Sequence, residues 1–576
     1  MLRFDVREIE KPVLAETVDL LGGRGGRLEV LGTLIGKTSL VAGDATGRIG
    51  IWFPVRPRGS ATPDGAVMAE AHVLEGAGSP VTAVSASERT RLLAAGFGDG
   101  AVRLFHITSN QVIGEGAAPR GPVEAVALTP KEDGIVAVAG GSFHRWAVRA
   151  PHPETTLASI FGKVWYEGDV EPTHSWQSTG GTDDFEPKYG LVPLIFGTLK
   201  ATFYSMLIAV PLAVLGAIFT TEFLHPKVRA RVKPTIELMA SLPSVVLGFL
   251  AALIFAPWIE GRVPTVIASF GAIPFAVLLG AYSWQALPRP LALRMERWRL
   301  LFILATLPVG AGLAFLAGPL AEDVLFSGDV KGWLDGAKGG PAGGWFVLLL
   351  PFSALAVIAA NVRWVNPRIA AAAASWGRAR EARFEMVRFL AGVAASVALS
   401  TAAAQLLGAA GLDPRGGFVD TYVQRNALVV GVVMGFAVIP IIYTLSEDAL
   451  SSVPEHLRAA SLAVGATRWQ TAVNVILPTA MSGLFSALMI GLGRAVGETM
   501  VVLMAAGNTP VLEWNVFNGF RTLSANIAVE LPEAVQDSTT YRMLFLAALT
   551  LFSMTFVVNT LAESVRQRFR KRAFEL

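Results

Sequence analysis

The sequence contains no cysteine. That excludes disulfides, thiolate metal sites and cysteine nucleophiles, and it leaves the redox compartment open. Charge is also scarce: 16% of the 576 residues are Asp, Glu, Lys or Arg, and the net charge is only +3. So small a basic excess does not predict nucleic-acid binding. The seven histidines, at 72, 106, 144, 152, 174, 225 and 456, are scattered with no ligand spacing, so no metal site is expected. A nucleotide-binding loop is missing too. "GTLIGKTS" (32–39) imitates one, but only three residues separate Gly32 from Gly36 where four are needed, and a strand pattern follows instead of a helix.

What is abundant is apolar sequence, at 52% of residues, and it is unevenly distributed. Before about residue 190 no stretch is long enough to cross a bilayer. After it, apolar windows capable of crossing about 30 Å of hydrocarbon follow one another almost to the end. They predict nine helices, near 191–220, 238–257, 263–284, 300–319, 345–361, 388–410, 427–445, 480–506 and 542–562.

The first part reads as β structure, short apolar runs punctuated by Gly and Asp turns. "LVAGDATGRIGIW" (40–52) aligns with "LAAGFGDGAVRLF" (93–105), matching Gly43 to Gly96, Gly47 to Gly100 and Trp52 to Phe105. A looser third copy is "AVAGGSFHRW" (137–146). Strand, glycine turn, strand and terminal aromatic resemble one edge of a WD40-type propeller blade, and the spacing approaches a blade period of roughly 40 to 45 residues. Three units are fewer than a closed propeller uses. The expectation is an all-β, partial, propeller-like domain over 1–187, N-terminally incomplete.

Basic residues set the orientation. Lys227, Arg229, Arg231 and Lys233 follow the first helix; Arg289, Arg294, Arg297 and Arg299 the third; Arg363, Arg368, Arg378, Arg380, Arg383 and Arg388 the fifth. The chain ends in "RQRFRKRAFEL". These loops and the C-terminus are expected in the cytoplasm and the β domain outside. Since the first twenty residues have no apolar core that could direct translocation, an upstream segment with a membrane helix is also expected.

The loop after helix seven, "SEDALSSVPEHLRAASLAVGATRWQTAVNVILPTAMSG", reads as a short amphipathic helix after Pro454, ended by Gly465, with a second helix beginning near Ala466. It resembles the coupling loop of ABC importer permeases: Ala460, Gly465, Val475, Leu477 and Pro478 match that pattern, and Ala459 stands where its Glu would be. "KPTIELMASLPSVVLGF", "IPIIYTLSEDALSSVP", "GRAVGETMVVLMAAGN" and "TLSANIAVELPEA" are similar to segments of PstC-type permeases of phosphate importers.

The resemblance implies a polytopic α-helical permease core of the MetI-like, ABC type I importer class. It divides into 188–260 (two helices) and 426–572 (three helices, coupling loop 446–480), with a four-helix insertion over 261–425. An even insertion leaves the core's orientation unchanged. The implied partners are a PstA-type permease, a PstB-type ATPase dimer and a PstS-type phosphate-binding protein, in the bacterial inner membrane with lipid around it. No cofactor is implied, since the partner binds the ATP, and the chain itself is no enzyme. The implied coupling residues are Glu455, Arg458, Ala459, Ala460, Gly465, Arg468, Leu477 and Pro478. A permease for another oxyanion, or a membrane scaffold or sensor with a vestigial core, are the alternative readings.

"GLGRAVGETM" (491–500) places Arg494 and Glu498 inside an apolar window. Buried charges in a span face a partner or an aqueous path. Four residues apart on a helix, they can pair with each other, and Gly493 and Gly497 can let another helix approach. Either the pair pins helix packing, or Arg494, Glu498 and Thr499 line a substrate path. Glu447 and Asp448 are expected to cap the cytoplasmic end of helix seven.

Overall fold

The computed structural model describes the chain apart from residues 24–25, 58, 77, 120, 183–184, 374–375, 418 and 575–576. It divides into two compact units, Met1–Gly197 with Asn526–Phe552, and Thr198–Ala525 with Ser553–Leu576.

The first unit is led by a two-stranded ribbon, β1 (Leu2–Asp5) with β2 (Val13–Thr17). Three antiparallel meanders follow. The first is β3 (Leu28–Thr33), β4 (Leu40–Asp44), β5 (Ile49–Val55) and β6 (Val67–Leu74), and the second β7 (Val81–Ala86), β8 (Leu92–Phe97), β9 (Ala101–His106) and β10 (Gln111–Ala117). The third has β11 (Val123–Leu128), β12 (Gly134–Ala139) and β13 (Ser142–Ala147). β7 lies against β3 and β11 against β7, so each sheet's first strand meets the next, as in successive propeller blades.

The repeat seen in the sequence has a steric cause. A Cβ on Gly43 would sit 2.8 Å from Cγ1 of Val81, and one on Gly96 would sit 2.3 Å from Cγ1 of Val123. Each glycine in a second strand makes room for the first strand of the following sheet. Gly47 (φ +92°) and Gly100 (φ +87°) close the hairpins in the left-handed region, where only glycine is unstrained. The matched aromatics Trp52 and Phe105 are both buried. The unit also holds a stretch of the C-terminal chain: His152 Nδ1 meets Thr539 Oγ1 at 2.7 Å, and Trp176 Nε1 donates to Glu530 at 3.0 Å.

The second unit is helical. Its main helices are α1 (Val192–Glu222), α2 (Pro226–Ala240), α3 (Ser244–Leu250), α4 (Val263–Ala286), α5 (Arg299–Phe326), α6 (Ala342–Ala360) and α7 (Arg378–Ala409). They continue with α8 (Ala427–Ser451), α9 (Glu455–Ala463), α10 (Leu477–Gly497), α11 (Met500–Ala505) and α12 (Thr539–Phe574), of which the part up to Phe552 belongs to the first unit. Among the described residues, eight helices are long and apolar enough to cross a membrane, or nine if the bent pair 226–240 and 244–260 is one span.

Two of the nine expected spans are not single helices. The one expected at 238–257 is bent by 82°. Pro243 is the reason: it has no N–H, it stands extended (ψ 131°) ahead of α3, and it forces Leu242 out of helical geometry. The one expected at 480–506 ends at Gly497 and restarts at Met500.

Three π-turns, Ala251–Phe255, Asn361–Val365 and Ala472–Ile476, have one cause as well. Each is followed by one residue and then a proline, Pro257, Pro367 or Pro478. The ring cannot donate and would strike the carbonyl four residues back, so the turn widens to i→i+5 bonds, such as Leu477 N–H to Ala472 O.

The core of this unit is α8, flanked by α1 and α10. Ala209, Ala213 and Ala217 of α1 are fully buried. A Cβ on Gly431 would lie 3.1 Å from Cβ of Tyr204, and one on Gly435 would lie 3.2 Å from Ser205 O, so small residues on both helices bring the backbones together.

Candidate functional site

Two places in the helical unit gather the residues that the sequence singled out. The first is the hairpin at 455–478, where a coupling loop is expected. α9 starts at Glu455 after the extended Pro454, and Gly465 (φ +91°) ends it in the left-handed region, which a β-branched residue does not tolerate. Thr467 and Gln470 form a reciprocal capping box that starts the next helix at Arg468. Ser461 and Thr471 hydroxyls, 3.0 Å apart, tie the two arms together.

This hairpin is anchored from beneath. Arg458 Nη2 donates to the Leu450 carbonyl at 2.6 Å and lies 3.3 Å from Glu222 Oε1, an ion pair without hydrogen-bond geometry. Trp469 and Phe223 rings lie 6.3 Å apart. Arg458, expected to contact the partner, is therefore turned inward, and its guanidinium holds the loop to the ends of α1 and α8. Glu455, Ala459, Ala460, Gly465, Arg468 and Pro478 are exposed, and Leu477 packs partly into the core. Leu462, Val464 (86% exposed) and Trp469 add an outward apolar ridge that the sequence reading did not name. Their high exposure at the tip of a rigid hairpin is what distinguishes them.

Beside the hairpin, Glu447 is buried. It accepts from Arg229 and from Lys233 at 2.9 Å, while Lys233 also reaches Asp448 at 2.6 Å. Two basic residues from the segment after the first span are thus engaged with the end of α8, and Glu447 is a structural ion-pair centre more than a simple helix cap.

The second place is the break at Glu498. The expected i,i+4 pairing of Arg494 with Glu498 does not form, because α10 stops at Gly497 and Glu498 is extended (φ −67°, ψ 129°). The Glu498 carboxylate accepts from Val501 N–H at 3.4 Å and so faces the start of α11. Ser524 Oγ donates to the Glu498 carbonyl at 2.9 Å, and Thr522 and Ser524 hydroxyls are 3.1 Å apart. A tertiary hydrogen bond thereby satisfies a carbonyl that the helix has released. Thr499 donates weakly to Gly497 O at 3.3 Å, and Arg494 is exposed on the last turn of α10.

The packing role expected for Gly493 and Gly497 is not found within the chain. A Cβ on Gly497 would meet nothing within 4 Å, and one on Gly493 only Asn559 Oδ1 at 3.7 Å, across a cleft of about 400 Å³ that Phe485, Met489 and Ile490 also line. The close approach falls two turns apart at Gly483 and Gly491. A Cβ there would sit 2.5 Å from Ala449 Cβ and 2.4 Å from Ile442 Cγ1, so these are the glycines that seat α10 against α8.

The helical unit thus combines apolar spans, a rigid exposed hairpin and a helix broken within a span. Residues 345–571 match the model of the binding-protein-dependent transport system inner membrane component. Among individual proteins, the chain is similar to PstC-type phosphate permeases. It is 34% identical to phosphate transport system permease protein PstC 1 of Mycobacterium tuberculosis over 152 residues, 26% of this chain and 45% of that protein. PstC of Xylella fastidiosa is 34% identical over 148 residues, again 26% and 45% of the two chains. These matches span less than half of the PstC proteins. A longer one, to the probable ABC transporter permease protein YqgH of Bacillus subtilis, is 23% identical over 394 residues, 68% of this chain and 76% of that protein. Among solved structures, the β-propeller domain of Myceliophteria thermophila Cps50 aligns with 22% of this chain and 41% of its own at a TM-score of 0.17 and 18% identity, which establishes no common fold.

Proposed function

We propose that this chain is the PstC-type permease subunit of an ATP-driven importer of inorganic phosphate. The coupling hairpin carries the proposal: a rigid, doubly capped element with an exposed apolar ridge, pinned through Arg458 to the spans it would move. Such a hairpin fits a groove on a soluble partner. Because no nucleotide loop occurs in the sequence, the partner supplies hydrolysis, and this subunit performs no bond chemistry. Work delivered to 455–478 passes along Arg468–Gly497 to the break at Glu498, shifting a pathway between two accessible states.

In this reading a PstB-type ATPase dimer docks on the hairpin, a PstA-type permease completes the pathway, and a PstS-type protein delivers the anion. The hairpin faces the cytoplasm and the β unit the periplasm. Arg494, Glu498 and Thr499 lie on the substrate path, with exposed Arg494 presenting its charge to the permease partner or the anion. The test is ATP-dependent uptake of radiolabelled phosphate by proteoliposomes holding this chain with all its partners. Uptake that needs ATP, the binding protein and this chain is expected. Uptake of sulfate but not phosphate transfers the proposal to another oxyanion, and failure to retain an ATPase subunit rejects it.

A further inference from the structure

Lys200 is the one lysine that the helical unit buries completely among the described residues: it is 0% exposed, in the third turn of α1 and about 12 Å along the axis from Val192. Its Nζ has no hydrogen-bond partner among the described residues. It lies 5.6 Å from the centroid of the Phe520 ring, whose face offers a cation only partial compensation. Glu513, the carboxylate whose field reaches it, is exposed and is bonded by Asn518 at 2.6 Å. An ammonium buried in this way with its three donors unused is expensive, and proteins resolve that cost by pairing the charge.

Phe520, the residue against Lys200, closes a loop whose ends meet. Phe520 N–H donates to Ala506 O at 3.0 Å, and residues 507–519 leave and return at that point. Its hinge positions are Gly507 (φ +78°) and Gly519, where a Cβ would sit 3.0 Å from Arg425 O and 2.7 Å from Ala506 O. The loop lies along the same stretch of α1: Tyr204 donates to Trp514 O at 2.6 Å, and Phe203 meets the Trp514 ring at 5.7 Å. Inside it Asn515 is buried with its Nδ2 unpartnered among the described residues. Asn508 Oδ1 in the same loop is an acceptor unpartnered among the described residues, but the charge left unpaired is the Lys200 ammonium. A buried cation with its donors unused, next to a compact loop closed at its base, calls for an anion.

We propose that Lys200 is the cationic centre of a binding site for a tetrahedral inorganic oxyanion, phosphate above all, next to the 507–519 loop. The site deepens the transport reading by giving the anion a buried station besides Arg494, but its existence is tested by binding alone. In phospholipid-free detergent, the purified full-length chain is titrated with radiolabelled inorganic phosphate. Saturable binding is expected, weakened at least tenfold in Lys200→Met and only a few-fold in Lys200→Arg, which keeps the charge. Inorganic phosphate should raise the thermal midpoint of the unaltered chain, a measurement independent of whether Lys200→Met folds. No binding by the unaltered chain, equal binding by Lys200→Met, or a midpoint unmoved by phosphate overturns the site. So does occupancy found only in anionic-lipid nanodiscs and not displaced by inorganic phosphate, which would assign the cation to a lipid headgroup. Loss of uptake in the complete importer with binding intact would count against the transport reading and leave the site standing.

Discussion

Replacing Arg458 with alanine removes the inner anchor of the coupling hairpin. At an effective dielectric of about 20, unit charges 3.3 Å apart attract by about 5 kcal/mol, most of which desolvation cancels. The charge-assisted bond to the Leu450 carbonyl, at 2.6 Å, contributes about 1.5–3 kcal/mol. Truncation also strands Glu222, whose side chain is only 11% exposed. The net cost to the docked hairpin is about 2–4 kcal/mol, and each 1.4 kcal/mol is about a tenfold loss of the docked population. The assay is ATP-driven phosphate uptake by the complete importer in proteoliposomes, with ATP hydrolysis measured alongside, and chymotryptic cleavage between Leu457 and Trp469. Arg458→Ala should lose uptake by at least tenfold while hydrolysis persists, and the hairpin should be cleaved faster. If uptake and cleavage match the unaltered chain, and an Arg458→Met, Glu222→Gln double-mutant cycle yields under about 0.5 kcal/mol of coupling, the hairpin is not held by this pair and the reasoning fails.

Three further outcomes are expected. Gly491→Ala drives a Cβ to 2.4 Å from Ile442 and should destabilise the detergent-solubilised chain by about 1–3 kcal/mol, seen as a lower thermal midpoint, whereas Gly497→Ala, with nothing within 4 Å, should leave it unchanged; the reverse order would refute the packing of α10 on α8. Arg494→Gln should abolish phosphate uptake while the subunits still co-purify, because its side chain is exposed and serves no hydrogen bond or ion pair among the described residues; loss of assembly would make it a packing residue. In the β unit, burial depresses His106 from 6.5 to about 4, so the unfolded chain takes up its proton at the higher pH. Stability is then complete above about pH 6.5 and falls as pH drops toward 4, by about 3 kcal/mol in all. Hydrogen exchange of Ala101–His106 in the full-length chain, corrected for the intrinsic rate, should report that loss, and His106→Gln should remove most of it.

How much of this was legible in the sequence varies with the kind of interaction. The glycine repeat was readable because both of its positions answer to local geometry: Gly47 and Gly100 to a hairpin's positive φ, Gly43 and Gly96 to a strand packed on them. The hairpin at 455–478 was equally plain, since Pro454 and Gly465 are start and stop signals acting within a few residues; the Thr467–Gln470 box that starts its second arm is local too but was not read from the sequence. Glycine spacing at Gly493 and Gly497 did not locate the close approach within the chain, because the motif states that approach is possible and not which face meets a neighbour; α8 meets the face carrying Gly483 and Gly491. Lys200 is visible in the sequence as well, the one charge in α1 apart from Glu222 at its end.

By itself the sequence determined the division into a β part and a membrane part, the apolar spans and the coupling hairpin, for these follow from periodicity, length and backbone preference. Only the tertiary structure decided the fate of the charges. Arg458 turned inward because Glu222 and the Leu450 carbonyl, distant in sequence, converge beneath it. Arg494 and Glu498 separated because no residue within 491–500 forces the helix to continue, whereas Ser524, more than twenty positions on, takes up the Glu498 carbonyl that the break releases. A broken helix in a membrane survives only where another segment satisfies its backbone, and that segment is supplied by the fold.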